Sequence, residues 1–543
     1  MTWTEQENWV LKMMQNGYGA DLDEFPKAIY KFDASRIPNY PVTHQLRSSF
    51  IEYLIKESSK NEFPSNAVAI KNAFIVGEIV SLNIKLNSEI RFKDCLFSSS
   101  IMIRRLHTEY TISFTDCEIQ GDIDFDSLNT AGSLFINTCK LRELFLRGSN
   151  ISGQLSLNSS VIDSVEMSLI NVNNALLMND GGEYLYLDLK GGRINSNLEI
   201  IDSNVRKRAD LSQLTISNSL NIASSTTKNI EIDELFLTDT TIKGSLVLMA
   251  DVKSKINMDT LSITKNLYIS PFKLLVENCR IPKTHFFELN DISMQGMFVG
   301  GVIELENVIL SGECCIDDVQ VMGDFVIKDS ILNSDRTQLT YSYIKTALIL
   351  NQCVIKKLDL SGSTIDGYFD MGHAKNSNSQ GPPYWVDSST IILTNAKIRS
   401  IQDVSTSWPE NINISGMEYI SFGSYGDSKD DQFLDRKPEW IKEWLGERFS
   451  PYENLKQLYP MLRNVTYANT SFQPYIQLAK VFKNHGYVHE ANKILYSAKE
   501  KELNESKKFF RKAWLFLQKL FVGYGFKIEY SLYIFIAFLV VGT

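Results

Sequence analysis

Three aspartates at alternate positions, Asp122, Asp124 and Asp126 in the segment GDIDFDS, and seven cysteines are the residues whose types and spacing could support chemistry. Carboxylates beside a basic group do acid–base work on glycosidic bonds. Thiols hold metals or exchange disulfides. A period of two puts the three aspartates on one face of a strand, read as the solvent side, and no basic residue is found at the equivalent position of the next repeat. The cysteines are Cys95, Cys117, Cys139, Cys279, Cys314, Cys315 and Cys353, and none forms a C-x-x-C pair, so zinc and thioredoxin-like sites lack their spacing. Only Cys314 and Cys315 are adjacent, and neighbours on a strand point to opposite faces. No G-x-G-x-x-G follows a strand, and neither G-x-x-x-x-G-K-[ST] nor G-x-S-x-G is present, so dinucleotide, nucleotide and serine-hydrolase chemistries lack their minimal parts. No catalytic, cofactor-binding or metal-ligating residue is assigned, and no enzyme is expected. The alternative is a carbohydrate-active enzyme with Asp or Glu facing Lys or Arg in a groove.

The elements that carry these residues repeat. GSLFINTCKL from Gly132, GQLSLNSSVI from Gly153, SNLEIIDSNV from Ser196, GSLVLMADVK from Gly244, GDFVIKDSIL from Gly323 and TALILNQCVI from Thr346 share one pattern of apolar positions two apart. That is a strand period, and a strand-sized phrase at a fixed interval marks a solenoid. Cys95, Cys117 and Cys139 stand 22 residues apart, each three residues after an apolar one, and Ser160, Cys279, Ser330 and Cys353 fall in equivalent phrases. These observations predict a mainly β fold, a right-handed parallel β-helix over residues 67–426 with coils of about 22 residues, about sixteen in all. The cysteines then become small buried rungs of an inward ladder. Some copies lie 11 apart, as at Gly301, Gly312 and Gly323, so two faces of one coil carry similar phrases.

The flanks read differently. Residues 1–66 hold two amphipathic patterns, Trp9, Val10, Met13 and Met14, then Leu46, Phe50, Leu54 and Ile55, and are read as an N-terminal helical cap over an open strand edge. The segment HAKNSNSQGPPYWVDSS from His373 reads as a loop, with strand resuming at Thr390. Residues 427–505 are read as helical, opening at Pro438 with Ile441, Trp444 and Leu445 buried. Within them Tyr475, Leu478, Ala479 and Phe482, then Ala491, Leu495 and Ala498, are ordered like one tetratricopeptide (TPR) unit around Gly486; Tyr475 and Phe482 are its candidate partner-binding residues. Residues 506–543 begin with Lys507, Lys508, Phe510, Arg511, Lys512, Trp514, Lys519, Phe521 and Lys527, with no acid among residues 507–527, a composition suited to a membrane interface. An uncharged apolar run follows from Tyr530, read as the start of a membrane helix. Basic residues before it place the preceding domains in the cytoplasm. The net charge of -9 argues against nucleic acid as a partner.

Several pieces together resemble a bacterial family of pentapeptide-repeat-like β-helix proteins with a C-terminal TPR-like and membrane segment, often labelled membrane-associated oxidoreductases. They are HQLRSSFIEYLI from His44, VAIKNAFIVGEIVSLNI from Val68, the repeats above, WPENINISGMEYI from Trp408, FQPYIQLAKVFKNHGYVHEANKIL from Phe472 and the GYG segment at Gly523. The resemblance brings no catalytic motif. The long β-helix surface joined to the basic, aromatic tail is read as a scaffold or sensor tethered to the inner membrane with its β-helix on the cytoplasmic side, binding a protein partner and membrane lipid without a cofactor. A membrane-acting effector of defence or toxicity is a related version.

Overall fold

The computed structural model describes residues 2–28, 31, 41–60, 67–224, 230–269, 286–372, 381–423, 433, 436–447, 472–506, 508–527, 529–530, 532, 535–536 and 539. Cys279, the acidic stretch at 427–431 and Lys507 lie outside them. The chain falls into two units, residues 1–323 with 329–331, and residues 324–328 with 332–543. The strand tract predicted over 67–426 therefore contributes to both. It forms a mainly parallel β-solenoid of about 15 coils.

In the first unit each early coil has four short sides. One column stacks Ala67–Lys71, Glu89–Lys93, Ile112–Thr115 and Leu134–Asn137, all parallel, so that Ile70, Phe92, Phe114 and Ile136 lie in register. Another stacks Lys85–Leu86, His107–Thr108 and Asn129–Thr130. Leu96–Phe97 and Glu118–Ile119 form a third side, Ile101–Arg104 and Ile123–Asp124 a fourth. Alternation puts one residue in two inward, and the inward set Ile90, Phe92, Ile112, Phe114, Leu134 and Ile136 is buried throughout.

The bends explain the 11-residue echo. Left-handed backbone recurs at Asn72, Asn83, Asp94, Arg105, Asp116, Ser127 and Thr138, once every half coil. Asn and Asp tolerate this conformation because a short polar side chain bonds locally. Leu169 occupies the same kind of position with φ 57° and its side chain is exposed, so it carries the strain of a branched residue there without burial to offset it. Leu169→Asn is expected to stabilise the first unit by about 1 kcal/mol, read as a raised urea midpoint; an unchanged or lowered midpoint would overturn it.

One deletion alters the coil. The offset falls from 22 residues at Glu118↔Lys140 to 21 at Ile123↔Leu144. There the third and fourth sides fuse into the six-residue strand Lys140–Phe145, a form kept in Val161–Glu166 and Glu183–Asp188.

The predicted cap exists as α1 (Glu5–Gln15) and α2 (Ser48–Ser58). Thr4 and Glu7 form a reciprocal capping box at α1. Leu46, read as helical, instead lies on the strand Gln45–Arg47, pairing with Phe74–Val76. The helix starts only at Ser48, because Leu46 is used to continue the sheet edge.

In the second unit the nine-residue strand Tyr384–Ile392 pairs with Val354–Asp359. The sheet thus resumes at Tyr384 rather than Thr390, since aromatic and β-branched YWV suits a pleated surface despite the preceding prolines. The predicted helix at Pro438 is α3 (Pro438–Lys442), which widens into a π turn over Glu443–Glu447; Trp444 and Leu445 are buried, while Ile441 is half-buried. α4 (Gln473–Asn484) and α5 (Val488–Glu505) form a helical hairpin through Gly486, whose φ is 87°. In α5 Ala491 and Ala498 are buried, but the large apolar residue buried between them is Ile494, with Leu495 half-buried. α4 closes an open strand edge: Gln473 Nε2 donates to the Met417 carbonyl at 2.9 Å and Gln477 Nε2 to the Tyr419 carbonyl at 2.6 Å, beside the strand Glu418–Gly423. Side-chain amides there satisfy carbonyls that would otherwise invite another strand.

Candidate functional site

The aspartates of GDIDFDS sit on the fourth side of a coil, and the structure corrects their sequence reading in two respects. Asp124 is buried rather than solvent-facing. Basic partners are also present: Arg104 Nε donates to Asp124 at 2.7 Å, Arg142 to Asp122 through Nε at 2.9 Å and Nη2 at 2.7 Å, and Arg147 to Asp126 through Nε at 2.9 Å and Nη2 at 2.6 Å. Arg147 also reaches Glu166 at 3.4 Å and lies over the Phe145 ring. The deletion hid only Arg147, at 21 residues from Asp126; Arg104 and Arg142 stand 20 residues from their aspartates, off the position that a 22-residue comparison tests, Arg104 in a coil still at 22-residue spacing. Arg147 in fact stands two residues beyond Phe145, the register partner of Asp124. Each aspartate is held by two guanidinium nitrogens, Asp122 on both of its oxygens, and all three pairs join neighbouring coils, so the cluster is built as a brace.

The cysteines occupy inward positions. Cys95, Cys117 and Cys139 donate their thiols to the carbonyls of Ile70, Phe92 and Phe114, and Ser160 Oγ donates to that of Ile136 at 2.8 Å. In the second unit Cys353 does the same toward Ile327 at 3.1 Å. Burial pushes the Cys95 thiol up, and the Cys314 thiol up to about 12, so both stay neutral thiols. Cys314 faces in and Cys315 outward. Among the described residues no group of three or more His, Cys, Asp and Glu is arranged to hold a metal ion.

Tyr475 and Phe482 lie inside the second unit, at 1% and 5% exposure. Phe482 meets Phe433 at 6.0 Å, and Lys501 lies over the Tyr475 ring. Neither ring is offered to a partner, because the apolar face of α4 is used in closing its own unit.

Among the described residues, exposed large apolar side chains are concentrated on α6 (Phe509–Val522). At about 100° per residue, Arg511, Leu515 and Lys519 share one face. That face is pinned to α5, with Arg511 Nε donating to Glu502 at 3.0 Å, Lys519 Nζ to Glu500 at 2.7 Å, and Leu515 buried. Burial works to raise the Glu502 carboxyl, but Lys499 and Arg511 outweigh it and hold it below the ordinary value. Phe509, Phe510, Trp514, Phe516, Leu517, Leu520 and Phe521 point away, Phe510 at 87% exposure and Trp514 at 60%. Lys527 lies over the rings of Tyr496 and Tyr530. Of the basic set, Lys508 and Lys512 have no ion-pair partner among the described residues. The absence of acids among residues 507–527 thus hid two ion pairs, whose carboxylates come from α5. α6 ends at Gly523 in left-handed backbone. Among the described residues no helix is long and apolar enough to cross a membrane; most of the run from Tyr530 lies outside them.

Stacked parallel coils followed by a helical region make this a β-solenoid repeat protein, consistent with a pentapeptide-repeat-like β-helix. No protein-family model, curated protein or solved structure matches the chain.

Proposed function

We propose that the protein is a non-enzymatic scaffold or sensor held at the cytoplasmic face of a bacterial inner membrane through α6, its coils binding a protein partner. The observation that carries this reading is the exposed aromatic stripe of α6 beside Lys508 and Lys512. Contiguous exposed apolar surface marks a contact site, and aromatic residues with flanking cations match a bilayer interface carrying anionic lipid. The apolar run from Tyr530 would deepen that contact as a membrane helix. The right-handed winding expected of parallel crossovers, the TPR-like character of the α4–α5 hairpin and a role as membrane-acting effector belong to the same reading. With Tyr475 and Phe482 buried, the partner is assigned to outward strand faces, where Val161 and Tyr186 are exposed on neighbouring strands.

Sedimentation of the full chain with phosphatidylglycerol-containing vesicles tests the reading. The native chain is expected to sediment. Combined Phe510→Ser and Trp514→Ser should weaken binding about a hundredfold, since each large apolar side chain contributes about 1.5–3 kcal/mol when buried. Combined Lys508→Glu and Lys512→Glu should weaken it about tenfold or more and abolish its salt dependence. Native chain left in the supernatant with its thermal transition intact would overturn the reading.

A further inference from the structure

The second unit contains a cavity of about 210 Å³ lined by Trp408, Trp440 and Trp444 with Glu410, Glu443 and Ile412. It is smaller than the roughly 300–1,000 Å³ of pockets that take drug-sized ligands. Three indoles line it. Trp408 stands at 85° to Trp444 with centroids 5.5 Å apart, and Trp440 lies within 16° of parallel to Trp444 at 6.4 Å. Two of the indoles are fixed by bonds at their nitrogens, Trp408 to Asp403 and Trp440 to the Ser405 carbonyl at 3.2 Å. The third, Trp444, is buried, and its N–H has no hydrogen-bond partner among the described residues. Glu410 is exposed and carries no ion pair among the described residues.

Indole faces attract cations, and the attraction grows as the cation loses water. The unit already uses this chemistry internally, since the Arg436 guanidinium lies 4.5 Å from the Trp440 centroid. Arg436 is neutralised by Asp403 at 2.8 Å, so it does not cancel the negative charge of Glu410. A bare ammonium would lose its hydration against Ile412 and the rings without enough hydrogen bonds in return. An alkylated ammonium presents methyl groups to those walls while its charge faces the rings and carboxylates. We propose that this cavity is a binding site for a small alkylated ammonium ion.

Titration of the full chain with tetramethylammonium, read by calorimetry and tryptophan fluorescence, tests this independently of membrane binding. Saturable binding is expected, with none for the uncharged isostere 3,3-dimethyl-1-butanol. Choline and Nε-trimethyl-lysine, run in parallel, separate two carriers of the same head group, and preference for either supports the site. Glu410→Gln, an exposed change, should weaken binding about two- to fivefold, and Trp440→Leu about tenfold, both with the native thermal midpoint checked. Equal binding of the neutral isostere, no binding of tetramethylammonium to the folded native chain at millimolar concentration, or native affinity in a folded Glu410→Gln variant would each overturn the proposal. Should Trp440→Leu fail to fold, the isostere comparison and Glu410→Gln decide it alone.

Discussion

Phe114→Ala is expected to destabilise the coils around it by about 3–5 kcal/mol, the range for deleting a buried aromatic ring. Phe114 is fully buried. It stacks on Phe92 at 5.4 Å with an 18° angle and meets Phe97 and Phe125, each at 6.1 Å. The cavity left by truncation would be lined by rings held on three sides of the coil, which collapse poorly. A solenoid couples each coil mainly to its neighbours, so the loss should appear locally. Hydrogen exchange is the suitable readout: amides of Glu89–Lys93, Ile112–Thr115 and Leu134–Asn137 should lose protection, while Val161–Glu166 and beyond keep theirs. Ser113→Ala on the outward side of the same strand should change little. A Phe114→Ala effect under 1 kcal/mol would show that the ring ladder does not hold the coils together.

Arg436→Met should cost the second unit about 3–5 kcal/mol, the penalty for leaving a buried charge without its partner. Arg436 and Asp403 have side-chain exposures of 2% and 1%. The guanidinium donates through Nη1 to Asp403 Oδ2 at 2.8 Å and through Nη2 to Oδ1 at 3.0 Å, and Nη2 also reaches the Asp403 carbonyl. Its plane lies against Phe433 as well as Trp440. Methionine fills much of the volume but leaves the Asp403 carboxylate with only the Trp408 N–H, which cannot offset burial of a full charge. The double variant Arg436→Met with Asp403→Leu removes both charges and should recover most of the loss, because a buried pair replaced by apolar groups is often near neutral. Urea unfolding followed by the tryptophan signal measures both. A double variant as unstable as the single one would place the cost in lost packing instead of the orphaned charge.

The sequence by itself determined the repeat, its period and the inward ladder. Those follow from residue alternation and from small or polar residues at bends, which act locally and need no knowledge of neighbours. Cys95, Cys117 and Cys139 could be read as buried rungs for that reason, as could the apolar faces of α1 and α4. What only the tertiary structure decided was pairing at a distance. The three aspartates meet Arg104, Arg142 and Arg147 across neighbouring coils at spacings of 20 or 21, which a fixed 22-residue comparison does not test. Leu46 joins a strand because Phe74–Val76, which begins the third side of the coils, has an open edge there. Tyr475 and Phe482 turn inward because α4 is spent on closing an edge. Glu500 and Glu502 from α5 neutralise Lys519 and Arg511, leaving the aromatic stripe of α6 exposed and two lysines without an ion-pair partner among the described residues. Trp440 and Trp444 are four residues apart, but Trp408 precedes them by 32 and 36 residues, and nothing in its local sequence says that its ring joins theirs in one space.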